Sequence, residues 1–480
     1  MLKTIKNVKN QLPFYYFEEL SKIPRASGNE KGVVEYIKNI AIENGLEYYA
    51  DESDNILVKK KGSVGRENED AIMLQAHTDM VAEKNNDTVH DFATDPITLI
   101  QEGNILRAKG TTLGADDGFG VAIMLAVLTD KSLSTPPIEC LFTSSEEIGL
   151  VGAGKFDYSK ISAKRMINLD SAEENTVIIG CCGGVRTEMT IPTDCISDAL
   201  PAIGITIGGL CGGHSGEDID KGRKNANVVM GSILSEVNKK IPICLAYITG
   251  GDKDNAIPRE NTATFTVDSI EKSDECVTLI KEIIADIKKD LVNEDKGFFV
   301  KIEEMISTGH YSRECTEKIL KVLSLPNAVL EYRKAKPILP QTSRNLAKIR
   351  SNVEGQITIG FSSRSYLEEK LDMSCNDLDK IAKEIGATTY HHERYPGWQG
   401  ESDSDLVIDW QNAYERATGR KTEPTLIHAG LECGLITSRV KGLEAISIGA
   451  NVHDLHTPQE TMEIDSFDRI YDTVLEFLKK

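Results

Sequence analysis

Several segments of this sequence place histidine or acidic side chains directly beside an apolar run. The first is the strand-like AIMLQA, which is followed at once by His77, Thr78 and Asp79. Because side chains two residues apart in an extended chain point to the same side, Asp79 can accept the ring N–H of a metal-bound His77 and fix its tautomer. The same residues would also suit an ordinary exposed turn, so the pair needs support from the rest of the chain.

Two further segments carry adjacent acidic residues. The run GTTLGADDG precedes a long apolar helix and contains Asp116, and SSEEIG follows the apolar strand IECLFT and contains Glu146 and Glu147. A helix-capping role would explain Asp116 equally well. Neighbouring carboxylates point to different sides, so one of the two Glu residues can bind metal while the other, off the metal, transfers protons to and from an attacking water.

The last two segments complete a candidate metal site. MINLD ends on Asp170, and SIGANVHDLHTPQE places His453 and His456 after another predicted strand. The carboxyl ends of parallel strands meet at one edge of a sheet, so these side chains are expected to converge there. Imidazole and carboxylate ligands without cysteine are typical of hydrolytic Zn, Mn or Co sites. With one ligand from each of the five segments, the site would have five ligands, which suggests two ions that share one carboxylate.

The surrounding elements predict how these side chains are positioned. Helical and strand-like runs alternate up to about residue 186, which indicates an α/β fold with a mostly parallel sheet flanked by helices. From there to about 398 the pattern changes to an α+β unit with an antiparallel sheet, and α/β character then returns. We therefore predict a discontinuous catalytic domain, 1–186 and 399–480, with an inserted domain at 187–398.

Composition excludes several classes of function. The chain has 480 residues, a formal net charge of -20 and 40% hydrophobic residues. This charge disfavours binding to nucleic acid or anionic membranes, and we expect neither a signal peptide nor a membrane-spanning segment. Ten cysteines without a CxxC pair fit neither a disulfide framework nor a zinc finger, so we expect a reducing, cytoplasmic location.

The ordered set of segments resembles the M20 metallopeptidase family. GTTLGADDG, SSEEIG, CGGHSG, NAIPRE and HAGLECG are similar to its PepD-type aminoacyl-histidine dipeptidases, and the resemblance covers nearly the whole chain. It implies two Zn²⁺ ions, which Mn²⁺ or Co²⁺ could replace. The implied ligands are His77 and Asp170 for one ion, Glu147 and His456 for the other, and Asp116 as the bridge.

The resemblance also implies roles for other residues. Asp79 would orient His77, and Glu146 would be the general base that activates water for peptide hydrolysis. His453 would be a structural or outer residue. The inserted domain would be a lid in which His214 helps to stabilise the oxyanion and Asn255 and Arg364 contact the substrate. Glu432 and Gly434, in the HAGLECG segment outside that domain, would be further substrate contacts. The implied substrates are small dipeptides with a free amino terminus, of the Xaa-His type including β-alanyl-His, and the implied assembly is a homodimer.

Other functions remain open at this stage. An N-acyl amino acid amidohydrolase of the same fold would need the same two ions and the same base. A non-catalytic metal-binding protein would have no need of Glu146 and Asp79. A dinucleotide site at the glycines from Gly149 to Gly154 has the wrong spacing, and nothing in the sequence marks Cys433, near His428, as an activated nucleophile.

Overall fold

The computed structural model describes residues 2–334, 338–352 and 355–480. Its α-helices are α1 Gln11–Leu20, α2 Lys31–Glu43, α3 Ala115–Thr129, α4 Val151–Lys155, α5 Ala226–Lys240, α6 Ile270–Ile287, α7 Arg313–Leu323, α8 Glu368–Ile385, α9 Asp405–Thr418, α10 Glu432–Arg439 and α11 Ile464–Leu478. Short 3₁₀ helices span Tyr158–Lys160, Lys288–Asp290 and Asn293–Gly297. None of the helices in the described part of the chain has the length and apolar character that a membrane crossing requires.

The strands of the described residues form three sheets. The first eight strands are β1 Glu47–Ala50, β2 Ile56–Lys60, β3 Ile72–His77, β4 Leu99–Glu102, β5 Ile105–Ala108, β6 Ile138–Thr143, β7 Arg165–Asn168 and β8 Thr176–Cys181. The next nine are β9 Gly183–Pro192, β10 Leu200–Gly208, β11 Cys244–Gly250, β12 Asn261–Thr266, β13 Phe299–Ser307, β14 Ala328–Tyr332, β15 Pro340–Asn352, β16 Gln356–Ser365 and β17 Thr388–Tyr395. The last five are β18 Trp398–Gln399, β19 Glu423–Ile427, β20 Glu444–Ser447, β21 Val452–His453 and β22 Thr461–Glu463.

The described chain divides into two compact units. The first unit contains the residues up to Cys181 together with Trp398–Ile427 and Leu431–Lys480. The second contains Cys182–Gly397 and the three residues His428–Gly430. For comparison, the sequence pattern alone puts the inserted segment at 187–398.

The first unit is built on a sheet with strand order β1-β2-β6-β3-β7-β20-β8-β18, and β19 pairs with β8. Its central strands β6, β3, β7 and β20 are mutually parallel, and the flanking pairs β1–β2 and β2–β6 are antiparallel. Strands β3 and β6 are buried along their whole length, which explains why their sequences are almost continuously apolar. A smaller antiparallel sheet has the order β21-β22-β5-β4.

Helices pack against this sheet, and together they form the hydrophobic core of the first unit. Helix α3 is buried on nearly every side, in agreement with its apolar sequence. Phe467 of α11 packs against Phe14 of α1 with ring centroids 4.6 Å apart. Trp410 of α9 is fully buried in the same core. This α/β architecture of sheets flanked by helices confirms the predicted fold class.

The second unit contains two βαββαβ motifs whose strands join into one antiparallel sheet. Elements β10, α5, β11, β12, α6 and β13 form the first motif, with strand order β13-β10-β12-β11. Elements β9, α7, β15, β16, α8 and β17 form the second, with the equivalent order read from the other end, β17-β9-β16-β15. The first motif is therefore inserted between β9 and α7 of the second, and β11 pairs with β15 where the two meet.

Candidate active site

The five predicted metal ligands all lie at the ends of elements in the first unit. His77 is the last residue of β3, and Asp170 follows β7 by two residues. Glu147 and His456 lie in the loops after β6 and β21. Asp116 stands at the start of α3 but has non-helical dihedral angles, φ −78° and ψ 111°. Its backbone therefore belongs to the loop that precedes the regular helix.

Asp116 is shared between the two histidines. Its Oδ1 lies 2.9 Å from His77 Nε2, and its Oδ2 lies 3.1 Å from His456 Nε2. The adjacent Asp117 has different partners, because its carboxylate accepts the backbone N–H of His77 at 3.3 Å and of Gly120 at 3.2 Å. Of the two acids, Asp116 is the one with an oxygen directed at each imidazole.

The remaining ligands complete one group around each histidine. Asp170 Oδ1 lies 3.7 Å from His77 Nε2, and Glu147 Oε1 lies 3.2 Å from His456 Nε2. Three groups of three residues each bring one nitrogen or oxygen atom per residue within 4.8 Å of the other two. The groups are His77, Asp116 and Asp170; Asp116, Glu147 and His456; and His77, Glu146 and Glu147. Nitrogen and oxygen donors at this spacing fit two divalent cations that share Asp116.

Electrostatics within this cluster favour a bound cation. Burial opposes a charge on His456, but the carboxylates of Asp116 and Glu147 outweigh it and raise its pKa to about 11. The pKa of His77 is likewise raised well above its usual range, against the effect of burial, by Asp116, Asp170 and Asp79. Burial raises the pKa of Asp170 to about 6. A divalent ion would neutralise the negative charge that raises the pKa of the two histidines.

Asp79 connects His77 to the loop that carries the two glutamates. Its carboxylate accepts the backbone N–H groups of Glu146 at 3.0 Å and Glu147 at 3.2 Å, and the hydroxyl of Ser27 at 2.7 Å. His77 Nδ1 lies 3.1 Å from the backbone oxygen of Asp79 and 3.5 Å from its carboxylate. Burial raises the pKa of Glu146 well above its usual range, and the nearby Glu147 and Asp170 carboxylates add to this.

The second unit holds a separate cluster around Arg364 of β16. This side chain is buried, and its Nη1 donates to the Tyr395 hydroxyl at 2.8 Å. Its Nη2 lies 3.4 Å from both His214 Nε2 and the Ser215 hydroxyl. His214 Nδ1 accepts the backbone N–H of Glu217 at 3.2 Å, which leaves the proton of the neutral ring on Nε2. Two donors, from His214 and Arg364, thus lie side by side.

The other predicted substrate-binding residues occupy different environments. Asn255 is exposed, and its backbone oxygen accepts the N–H of Ser215, the neighbour of His214. Glu432, in the first unit, is fully buried and accepts from Gln75 at 2.5 Å and from the Thr143 hydroxyl at 2.6 Å. Burial raises its pKa to about 7. Gly434 is buried in α10.

Comparison with known proteins places the chain in a family. The sequence profile of peptidase family M20/M25/M40 matches residues 73–480. The chain is 33% identical to the cytosol non-specific dipeptidase of Escherichia coli over 470 residues, which is 97% of this chain and 96% of that protein. This chain belongs to peptidase family M20/M25/M40.

Solved structures agree with this M20 assignment. The aminoacylhistidine dipeptidase of Vibrio alginolyticus superposes with a TM-score of 0.82 at 32% identity, covering 99% of this chain and 98% of that one. A tripeptidase of Staphylococcus aureus shares the fold, with a TM-score of 0.58 at 17% identity and 98% coverage of both chains. The predicted family resemblance is confirmed, and the M20 chain is a peptide hydrolase.

The M20 chain does not present Cys433 as a nucleophile. Burial raises the pKa of its thiol well above the usual range. His428, considered as its base, instead lies in the second unit, where Nδ1 is 3.0 Å from Cys182 Sγ and Nε2 is 2.7 Å from the Ser343 hydroxyl. Burial and the neighbouring Arg364 lower the pKa of His428 to about 3.

Sequence-based prediction missed two buried charged residues beside the candidate metal ligands. Arg25 and Glu460 are 5% and 2% exposed, and both bond to the loop that carries Asp116. Glu460 stands four residues after His456, in the same HTPQE segment, and this proximity was the only sequence signal available for it. Arg25 had none, because it lies more than 50 residues from the nearest ligand in the sequence.

Proposed function

We propose that this chain is a two-metal dipeptidase that hydrolyses dipeptides with a free amino terminus, including Xaa-His and β-alanyl-His. The observation that carries the proposal is Asp116, whose two oxygens each face a different histidine with a further carboxylate beside it. The similarity to a non-specific dipeptidase and to an aminoacylhistidine dipeptidase over nearly the whole chain supports the substrate class.

The proposed cofactors are two Zn²⁺ ions, with Mn²⁺ or Co²⁺ as possible substitutes. His77 and Asp170 would hold one ion, Glu147 and His456 the other, and Asp116 would contact both. When bound, such a pair lowers the pKa of an attacking water and polarises the scissile carbonyl. The absence of cysteine from the donor set favours a hydrolytic site over a closed structural one.

In this proposal Glu146 moves the protons. It lies beside the proposed ligands but is not one of the ligands assigned to either ion. A general base near the attacking water must stay free of the metal in this way. Glu146 takes a proton from the attacking water and then returns it to the departing amine. Asp79 holds the backbone of this loop through its bonds to the N–H groups of Glu146 and Glu147, and so orients the base as well as His77.

His214 and Arg364 are proposed to bind negative charge. Two N–H donors that lie side by side suit an oxygen anion, either the substrate carboxylate or the oxyanion that develops during attack. We assign His214 to the oxyanion and Arg364 to the substrate carboxylate, in a second unit that serves as the lid. Asn255, Glu432 and Gly434 are proposed as further substrate contacts. Glu432, being fully buried, would act on substrate only through its neighbours Gln75 and Thr143.

A cytoplasmic location and a homodimer belong to the same proposal. The relative from Escherichia coli is named as a cytosolic enzyme. The ten cysteines are all free thiols, which suits a reducing compartment. Sedimentation analysis of the purified chain would test the dimer directly.

Hydrolysis of a small substrate panel tests the proposed function. Metal-free protein is assayed before and after addition of zinc with Gly-His, β-Ala-His, Ala-Ala, Leu-Gly-Gly and N-acetyl-Ala-His. We expect zinc-dependent cleavage of the free-amine dipeptides only. Cleavage of the acetylated compound alone would identify an N-acyl amino acid amidohydrolase instead, and no cleavage with two ions bound would indicate a non-catalytic metal-binding protein.

A further inference from the structure

Glu460 is a buried carboxylate that binds a loop rather than a metal. Its Oε2 accepts the backbone N–H groups of Leu113 at 2.8 Å and Gly114 at 3.0 Å. Its Oε1 accepts those of Ala115 at 2.8 Å and Asp116 at 3.4 Å. Four successive N–H groups therefore converge on one side chain, and only a carboxylate offers enough acceptor sites for all of them.

The same residue connects two segments that carry metal ligands and lie far apart in sequence. Glu460 follows His456 by four residues, and its own N–H donates to the Thr457 oxygen at 3.1 Å, which closes the turn between them. His456 Nε2 in turn faces Asp116 Oδ2 at 3.1 Å. The loop of Asp116 and the segment of His456 thus meet twice, once through the ligands and once through Glu460.

Arg25 binds a carbonyl oxygen of the same Asp116 loop. Its Nη2 donates to the backbone oxygen of Gly114, and its Nη1 donates to those of Thr78 and Asp79, both at 3.0 Å. A Cβ at Gly114 would lie 2.7 Å from Arg25 Nη2, so this loop can approach the guanidinium only with glycine there. Arg25 therefore ties the Asp116 loop to the segment that follows His77.

We propose that Glu460 and Arg25 are positioning residues for the metal centre. Glu460 fixes the bridging Asp116 relative to His456, and Arg25 fixes it relative to His77, so the affinity for the ions depends on two residues that touch neither. The inference rests on the proposed two-metal site. Charged partners behind metal ligands typically change metal affinity about 10- to 100-fold when they are replaced.

The test compares Glu460→Gln with a matched control, Glu139→Gln. Glu139 is equally buried in the first unit and also accepts backbone N–H groups, from Ser162 and Ala163, but it lies at the opposite end of β6 from the ligand loop. The amide in Glu460→Gln would direct its own N–H groups at N–H donors of the loop. Zinc affinity of the metal-free proteins is measured by competition with a chromophoric chelator, and folding is checked by circular dichroism.

We expect Glu460→Gln to bind at least one zinc ion roughly 10 to 100 times more weakly than wild type, and Glu139→Gln to bind as wild type. Wild-type affinity in Glu460→Gln would overturn the proposal, and so would an equal loss in both variants. Should Glu460→Gln fail to fold, Arg25→Lys provides the second test, because lysine keeps the charge but cannot bridge both segments. Unchanged zinc affinity in a folded Arg25→Lys variant would likewise overturn the proposal.

The measurement is independent of the substrate. If wild-type protein binds two zinc ions but cleaves no dipeptide, while Glu460→Gln binds zinc weakly, the proposed function fails and the positioning role stands. If wild-type protein cleaves dipeptides and either folded variant, Glu460→Gln or Arg25→Lys, binds zinc as wild type does, the positioning role fails alone.

Discussion

Two histidines, one in each unit, have opposite electrostatic environments. His456, in the first unit, faces two carboxylates that raise its pKa to about 11. His428, in the second unit, contacts a thiol and a hydroxyl and lies near Arg364, and its pKa falls to about 3. Burial lowers the pKa in both cases, so the difference comes from the partners.

This contrast indicates what each unit can bind. A cluster rich in carboxylates is stabilised by added positive charge, and it is found where the five candidate metal ligands meet. A buried guanidinium beside the neutral His428 is stabilised by added negative charge. Within a hydrolase of peptides, the first suits metal ions and the second suits the carboxylate or oxyanion of a substrate. The following predictions test this division, from the largest expected effect to the smallest.

The largest effect is expected from Glu146→Gln. We predict that turnover of a dipeptide falls by roughly 10² to 10⁴ fold, because general acid–base catalysis is lost. Metal content should stay at two ions, since neither proposed ion needs Glu146 as a ligand. Steady-state kinetics and metal analysis measure the two quantities. Glu147→Gln is the matched control and should lose metal as well as activity, and a loss of metal in Glu146→Gln would contradict the division of roles.

Removal of metal should weaken the first unit's ligand loops selectively. At a free zinc concentration about 1,000 times Kd, binding stabilises the folded state by about 4 kcal/mol. Amide hydrogen exchange should therefore accelerate after chelation at residues 113–116, 144–149 and 454–460. Exchange at 343 and 428–430, in the second unit, should not change. Uniform acceleration in both units would show that metal binding stabilises the whole fold rather than the ligand loops of the first unit alone.

Replacement of Arg364 should affect substrate binding without affecting metal. Hydrogen bonds to charged groups contribute about 1.5–3 kcal/mol, so Arg364→Lys should raise KM roughly 10-fold or more. Zinc content should stay at the wild-type value. Arg350→Lys, on the adjacent strand β15 of the same sheet, is the control and should leave KM unchanged. An unchanged KM in Arg364→Lys would remove this residue from the proposed anion site.

His428 should make the stability of the protein depend on pH. Its pKa is about 3 in the folded state and about 6.5 in an unfolded chain. Between these values the unfolded state binds a proton that the folded state does not, so stability falls as pH falls, by at most about 1.4 kcal/mol per pH unit. Urea unfolding between pH 7 and 4 should show a shallower dependence in His428→Gln. His392→Gln, in strand β17 of the same unit, is the control, and equal slopes in wild type and both variants would contradict the prediction.

The fold class could be predicted because the apolar pattern is local. Strands β3 and β6 are almost continuously apolar and are buried throughout, and α3 is apolar on nearly every side after its first turn, so each segment carries its own signal. The duplicated βαββαβ topology of the second unit could not be predicted in the same way. Its second motif is interrupted by the whole of the first, and strand order depends on pairings such as β9 with β16 that connect residues far apart in sequence.

The sequence by itself determined the kinds of side chain available at the strand ends and, through their order, the M20 family. Only the tertiary structure decided that Asp116, rather than Asp117, presents one oxygen to His77 and the other to His456. It also decided that Glu460 binds the N–H groups of this loop and Arg25 binds one of its carbonyl oxygens. The physical reason is that residue types are a local property, whereas the partner of a buried charge is fixed by which distant segments pack around it.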